Sequence, residues 1–245
     1  MHKLDIIIPV YNEGQNIASV LYSLKNNVVA DFRVLICYDE NTDNTLPVVK
    51  GLSEGLSFET ILIKNHGSGV HDAITTGFSA SDADAVLVFP ADDTENAKII
   101  DMMYEKFKQG YDIVAASRFM KGGYMKGCPW LKSFLVRFAS FTLYWLASIP
   151  IKDASNGFRL FSRRLLDKVI IESNHGFTYS LELLVKCHRL RWEIAEIPAV
   201  WHERDKGQSR FHLFKWLPYY LHWYFYGFMT TYLNKSPETV KLKRV

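Results

Sequence analysis

"LDIIIPVYNEGQNIASVLYSLKNN" (residues 4–27) passes from a β-branched run through a polar turn into apolar residues at helical spacing. Residues 4–11 read as a buried strand, and 13–27 repeat their apolar side chains with the period of a helix. A strand feeding a helix through a short turn is half of a parallel crossover unit, and the pattern recurs. "FRVLICYD" (32–39), "FETILIKN" (58–65), "DAVLVFPA" (84–91) and "YDIVAASR" (111–118) read as further strands. Between them "DNTLPVVKGLSE" (43–54), "GVHDAITTGFSA" (69–80) and "NAKIIDMMYEKFKQG" (96–110) read as helices. The alternation predicts an α/β fold, Rossmann-like, with an open, mostly parallel sheet and helices on both faces.

Ligands in such sheets bind beyond the carboxyl ends of the strands, where turns and helix N-termini converge. "YNEG", "YDENTD", "NHGSG" and "PADDTEN" all fall on that edge. Each alone also fits an ordinary strand-to-helix turn, which uses the same Asp, Asn and Thr side chains. As chemistry, Tyr11 suits stacking on a base, Glu13 suits accepting from a nucleotide hydroxyl or amine, and Asp39 sits where doubly wound folds read a nucleoside. Asp92, Asp93 and Thr94 offer the hard oxygen ligands that Mg²⁺ or Mn²⁺ takes, and one or two carboxylates suffice. Asn96 fits a helix cap as well as a ligand contact. The Gly-rich stretch at 65–73 lacks the Lys-Ser/Thr of a phosphate-binding loop.

Arg118, closing the fifth strand, and Arg159, in "DASNGFRLFSRRLL", present planar forks that suit either a phosphate or a salt bridge. Glu182, on the helix "TYSLELLVKCHRL" (178–190), is a charge on a mostly apolar surface and needs a partner. His66, His71 and His202 form no metal-binding pair at helical spacing and read as ordinary polar residues.

With 245 residues, 48% of them hydrophobic, the chain can bury a large core, and a formal charge of +3 with no basic block argues against a nucleic-acid partner. Cys37, Cys128 and Cys187 form no disulfide framework and fit a reducing compartment. The opening residues do not read as a signal peptide, so a cytoplasmic setting is the expectation. From Gly122 the pattern changes: "GGYMKGCPW" (122–130) reads as a loop. Residues 131–150 then form an apolar helix whose Lys132 and Arg137 argue for an interfacial or core position over a clean span. A strand is expected over 192–204. Residues 211–245 form an aromatic C-terminal extension: from Trp201 onward eight Lys or Arg face three acids. Trp, Tyr and flanking cations suit a membrane surface, and burial against the chain's own domain, or against a partner subunit such as a second copy of the chain, would serve the same apolar helix. One domain over 1–210 with an extension over 211–245 is the organisation expected.

In their order, these stretches resemble the family 2 glycosyltransferases of the GT-A fold, and within them the dolichyl-phosphate mannosyltransferase-like and polyprenyl-phosphate glycosyltransferase-like group. "IIIPVYNEGQNI", "YDENTDNT", "NHGSGVHDAITTGF", "ASRFMKGG", "DASNGFRLFSRRLL", "SLELL" and "HERDKGQSRF" match that group's elements from about Leu4 to Arg210. The resemblance implies that Pro9, Tyr11, Glu13 and Asp39 hold the nucleoside and that Asp92 is the metal carboxylate. It implies that Arg118 and Arg210 face the diphosphate or the acceptor phosphate, and it adds Glu182 to the catalytic residues. Two departures stand out: Pro90 replaces the first acid of the usual Asp-x-Asp, and "YDEN" replaces Asp-Asp-Gly-Ser. The activity implied is inverting transfer from a nucleotide-diphosphate sugar to a polyprenyl phosphate, on the cytoplasmic face of a membrane, with Mg²⁺ or Mn²⁺. Transfer to a sugar hydroxyl of a glycan is the alternative, with Glu182 or Asp153 as base; a non-catalytic nucleotide-binding subunit is the second.

Overall fold

The computed structural model describes residues 3–202 and 213–243. The first half forms as the alternation predicts: β1 (Leu4–Val10), α1 (Ile17–Asn27), β2 (Phe32–Tyr38), α2 (Thr45–Leu52), β3 (Thr60–Lys64), α3 (Val70–Ala80), β4 (Ala85–Val88), α4 (Ile100–Lys108) and β5 (Ile113–Ser117). Along β1, Leu4, Ile6 and Ile8 enter one core and Ile7 the other. That is the two-residue period of a strand covered on both faces.

The second half holds β6 (Tyr124–Lys126), α5 (Trp130–Trp145), β7 (Arg159–Ser162), α6 (Arg163–Lys168), α7 (Thr178–Arg189), β8 (Ile194–Pro198), β9 (Val200–His202) and α8 (Leu213–Tyr232). The main sheet has the order β3-β2-β1-β4-β7-β5-β8. Only β7 runs antiparallel, wedged between β4 and β5. Its four buried residues, Arg159–Ser162, are too few and too charged at one end to show as a strand in the sequence.

The strand expected over 192–204 is two strands. β8 pairs with β5, and after Ala199 the chain changes sheets, so that β9 pairs with β6 inside the stretch read as a loop. Gly123 permits this crossing. A Cβ there would lie 2.3 Å from the Ser117 carbonyl oxygen and 3.1 Å from that of Ala199. The helix expected over 131–150 ends at Trp145, and Ala147, Ile149 and Ile151 return to the core.

The C-terminal extension shares the domain's core. Trp223 of α8 is buried with Leu183 and Leu184 of α7. Arg189 donates to the Tyr226 carbonyl (2.8 Å), Thr230 Oγ1 (2.9 Å) and Thr239 Oγ1 (3.1 Å). α8 also lies beside α5: Thr142 Oγ1 and Tyr224 OH are 2.8 Å apart, and Thr231 Oγ1 donates to the Ala147 carbonyl at 2.7 Å. Among the described residues no helix is long and apolar enough to cross a membrane.

Candidate active site

The carboxyl ends of β1, β2 and β3 are laced together by side chains of the turns themselves. Asp43 accepts from the backbone N–H of Asn12 (3.0 Å) and of Thr45 (2.8 Å), and Thr45 Oγ1 accepts from the N–H of Glu13 (2.9 Å). Asn12 takes a left-handed φ of 56°, which Asn tolerates better than most residues. Asp43 and Thr45 therefore hold the β1–α1 turn in place, a structural role the sequence does not separate from ligand binding.

Pro9 lies half-buried within β1, and Tyr11 stands 45% exposed where the strand ends. Glu13 accepts from Asn16 Nδ2 at 2.7 Å. Asp39 leaves β2 and pins the Gly-rich turn, accepting from Asn65 Nδ2 (2.7 Å) and from the N–H of Gly69 (2.8 Å). The four residues implied for the nucleoside thus line two adjacent strand ends.

Next along the edge is the acidic loop after β4. Asp92 is half-buried. Asp93 is committed to the turn: Oδ1 accepts from the N–H of Glu95 (3.0 Å) and Asn96 (2.9 Å), and Oδ2 from Asn96 Nδ2 (2.7 Å). Burial pushes the Asp93 carboxyl above its usual value, against the pull of those Asn96 and Glu95 bonds. Thr94 is exposed, and its carbonyl accepts from Ser23 Oγ. No group of three or more His, Cys, Asp or Glu is arranged for a metal among the described residues. The donor set suited to a cation here is one carboxylate, Asp92, with shell positions left for water and phosphate oxygens, and that fits Mg²⁺ or Mn²⁺.

At the end of β5, Arg118 turns its fork to Asp153, with Nε to Oδ2 at 2.7 Å and Nη2 to Oδ1 at 2.9 Å. Burial opposes charge on both groups. The attraction between them wins, so the guanidinium is shifted up and the carboxyl down. Arg159 lies wholly inside, donating to the carbonyls of Ser180 and Ala154; burial brings it down to about 10. The phosphate contact considered for Arg159 therefore has no surface on which to occur. Glu182 is equally enclosed: Lys186 Nζ (2.6 Å) and the N–H groups of Glu172 (2.6 Å) and Ser173 (2.8 Å) occupy its oxygens. Arg210, with most of "HERDKGQSRF", lies outside the described residues.

Two cations beside this edge were read only as interruptions of an apolar helix. Arg137 of α5 lies 4.7 Å from the centre of the Phe119 ring, and Arg118 lies 5.1 Å from the same centre. Lys132 stands 5.3 Å from the ring of Trp201 on β9. Their presence in a helix otherwise free of charge was the signal.

α5 carries its exposed aromatics as one stripe, Trp130, Phe134, Phe138, Phe141 and Trp145, each between 54% and 79% exposed. On α8, Leu221, Phe225, Met229 and Tyr232 repeat the spacing. The contacts Thr142–Tyr224 and Ala147–Thr231 advance in the same direction along α5, with the turn that follows it, and along α8, so the two helices run side by side in parallel.

The model of glycosyl transferase family 2 matches residues 5–170. A dolichol-phosphate mannosyltransferase of Pyrococcus furiosus is 25% identical over 213 residues, covering 85% of this chain and 59% of that protein. A polyprenol monophosphomannose synthase of Mycolicibacterium smegmatis is 22% identical over 211 residues, covering 84% and 79%. The chain thus spans under two thirds of the archaeal relative's length. Among solved structures, glucosyl-3-phosphoglycerate synthase of Mycobacterium tuberculosis, in complex with Mn²⁺, UDP-glucose and phosphoglyceric acid, superposes with a TM-score of 0.66 at 14% identity. That likeness covers 94% of this chain and 79% of that one, and it extends to the fold.

Proposed function

The chain belongs to glycosyl transferase family 2, and from that premise we propose that it transfers a sugar from a nucleoside-diphosphate donor to a polyprenyl phosphate, inverting the anomeric carbon. The observation that carries the acceptor half is the two-sided character of α5. One side is an exposed aromatic stripe, and beside it Lys132 and Arg137 stand against Trp201 and Phe119 near the site edge. A molecule with a long hydrocarbon chain and a single anionic head matches both. The names of the two curated relatives, which refer to dolichol phosphate and polyprenol monophosphomannose, support the same class.

A phosphate acceptor also agrees with the state of the carboxylates. A phosphate monoester loses its second proton near pH ~6 and is largely ionised at neutral pH, so it needs no general base. Glu182 and Asp153, the candidates for a base on a sugar hydroxyl, are both 0% exposed and already held by Lys186 and Arg118. Positioning and charge neutralisation then carry the rate. In this reading Tyr11, Glu13 and Asp39 seat the nucleoside, Pro9 shapes the turn beneath it, and Asp92 holds the divalent ion. Asp93 and Thr94 shape the loop. When bound, Mg²⁺ or Mn²⁺ supplies neutralisation of charge on the departing diphosphate; the Mn²⁺ complex of the mycobacterial structure supports this choice. Arg118 braces the end of β5 through Asp153, and Arg210 is assigned with the cations that meet the acceptor.

The membrane half of the proposal rests on charge and aromatic pattern. Residues 130–152 and 211–237 contain no Asp or Glu, while Lys132, Arg137, Lys152, Lys215 and Lys235 lie within them. Each cation near an anionic leaflet is worth on the order of ~1 kcal/mol, and Trp and Tyr favour the interface. The α5–α8 face would rest on the cytoplasmic leaflet, with the site edge at headgroup level. The test is incubation with a panel of labelled sugar nucleotides, Mg²⁺ or Mn²⁺ and a short polyprenyl phosphate, followed by organic extraction. Label in the lipid phase with one donor supports the proposal; donor hydrolysis without lipid product counts against it.

A further inference from the structure

We infer that Asn96 is a positioning residue: it fixes the acidic loop, and with it Asp92, against the β6–β9 ribbon, and so sets how strongly a divalent ion adds to nucleoside-diphosphate binding. The inference rests on the metal role proposed for Asp92.

Asn96 is 3% exposed. Its amide pairs with the backbone of Val200 as another strand would: Val200 N–H donates to Oδ1 at 2.9 Å, and Nδ2 donates to the Val200 carbonyl at 2.7 Å. The same Nδ2 donates to Asp93 Oδ2, whose other oxygen receives the N–H groups of Glu95 and Asn96. One chain of hydrogen bonds therefore runs from the residue beside Asp92, through Asn96, to a strand 104 residues away.

The anchor itself is held. Val200 pairs with Tyr124 in the small sheet, and the next residue, Trp201, carries Lys132 over its ring. Residues 92–94 have no repetitive structure of their own. They run from the end of β4 to the Asp93–Asn96–Val200 link, with Ser23 of α1 holding the Thr94 carbonyl between; of these ties the Asn96 link is the one that joins the loop to the β6–β9 ribbon. A turn cap needs only the Asp93 contacts; turning the Asn96 amide to Val200 serves the loop's place in the molecule instead. A single-carboxylate metal site depends on that placement more than a cage of several ligands would, because no second side chain corrects an error in the first.

The test is calorimetric titration of the purified chain with UDP and with GDP, each with and without Mn²⁺. Asn96→Ala is expected to reduce the Mn²⁺-dependent gain in affinity at least tenfold and to leave metal-free affinity within about twofold. The double variant Asp93→Asn with Asn96→Asp restores a hydrogen bond between the two side chains but turns an acceptor toward the Val200 carbonyl, and it also folds into the argument if the alanine variant does not fold. It is expected to be as deficient as Asn96→Ala. Recovery in the double variant would show that the local turn alone matters and would overturn the inference, as would equal loss of metal-free and metal-dependent binding. A wild-type chain that binds nucleotide with no gain from Mn²⁺ removes the metal role of Asp92, and the inference with it; a normal gain in Asn96→Ala overturns the inference alone.

Discussion

Arg118 and Asp153 meet at three points: Nε and Nη2 of the arginine reach the two carboxylate oxygens, and the Arg118 backbone N–H adds a bond to Oδ2 at 3.0 Å. Asp153 is 0% exposed, so the pair stands or falls together. Asp153→Ala should cost about 3–5 kcal/mol, because it leaves a guanidinium inside with no counter-charge. Arg118→Lys keeps the charge and loses the fork, and should cost less. Urea unfolding midpoints measure both.

Glu182→Gln separates structure from chemistry. Glu182 and Lys186 are both buried, and the glutamine leaves the lysine without its closest anion. Stability should fall by about 3 kcal/mol, while kcat of the folded fraction with a phosphate acceptor stays within a few-fold. A loss of kcat by a hundredfold or more at unchanged donor affinity would point to a hydroxyl acceptor and a base.

Asp92→Asn should abolish the Mn²⁺-dependent part of donor binding and lower kcat/KM by about 10²-fold or more. Asp93→Asn should act mainly on stability, since its oxygens serve the turn. Titration calorimetry and initial rates distinguish the two variants.

Acid should erode the chain's stability over two pH ranges. Burial lowers the pKa of both His71 and His188; His71 faces Asp72, Glu182, His175 and the Ser173 hydroxyl, and His188 feels Arg189. The stability that comes from keeping them neutral is complete above their unfolded value near ~6.5 and erodes as pH falls below it. The Asp153 contribution is complete above ~4 and disappears as pH drops through the lower folded value. Thermal melts from pH 8 to pH 3 should show both, and a His71→Gln, His188→Gln double variant should flatten the first.

The α5–α8 face predicts a binding phenotype without a folding one. Phe134 and Phe225 are 58% and 57% exposed, so Phe134→Glu with Phe225→Glu should leave the melting temperature within about 2 °C. Co-sedimentation with vesicles containing anionic lipid should weaken about tenfold or more. Unchanged sedimentation would contradict the membrane reading of this face.

β1, β2, β3, β4 and β5, five of the six parallel strands of the main sheet, were legible because each is an apolar run closed by a polar turn. β7 was not, since four residues carry no period and its place between β4 and β5 depends on contacts with two strands distant in sequence. β6 escaped for the same reason, and so did the division of the strand expected over 192–204 into β8 and β9: the β6–β9 pairing depends on Gly123 admitting a backbone crossing that a Cβ would block. Tyr11, Glu13, Asp39 and Asp92 lie at the carboxyl edge of the sheet, where the strand-and-turn pattern puts them. Residue types did not reveal which acids are spent on structure. Asp43 and Asp93 hold turns, and Asp153 and Glu182 hold cations, because a carboxylate's role is decided by donors that come from remote segments.

Acceptor choice tests the account most directly. The purified chain would be given one competent sugar nucleotide and, in parallel, a polyprenyl phosphate, the polyprenol of the same length, and a soluble glycan, with the anomeric configuration of any product read by NMR. The account predicts transfer to the phosphate with inversion, and at least a hundredfold less to the polyprenol or the glycan. Preferred transfer to a hydroxyl, or a product of retained configuration, would contradict it.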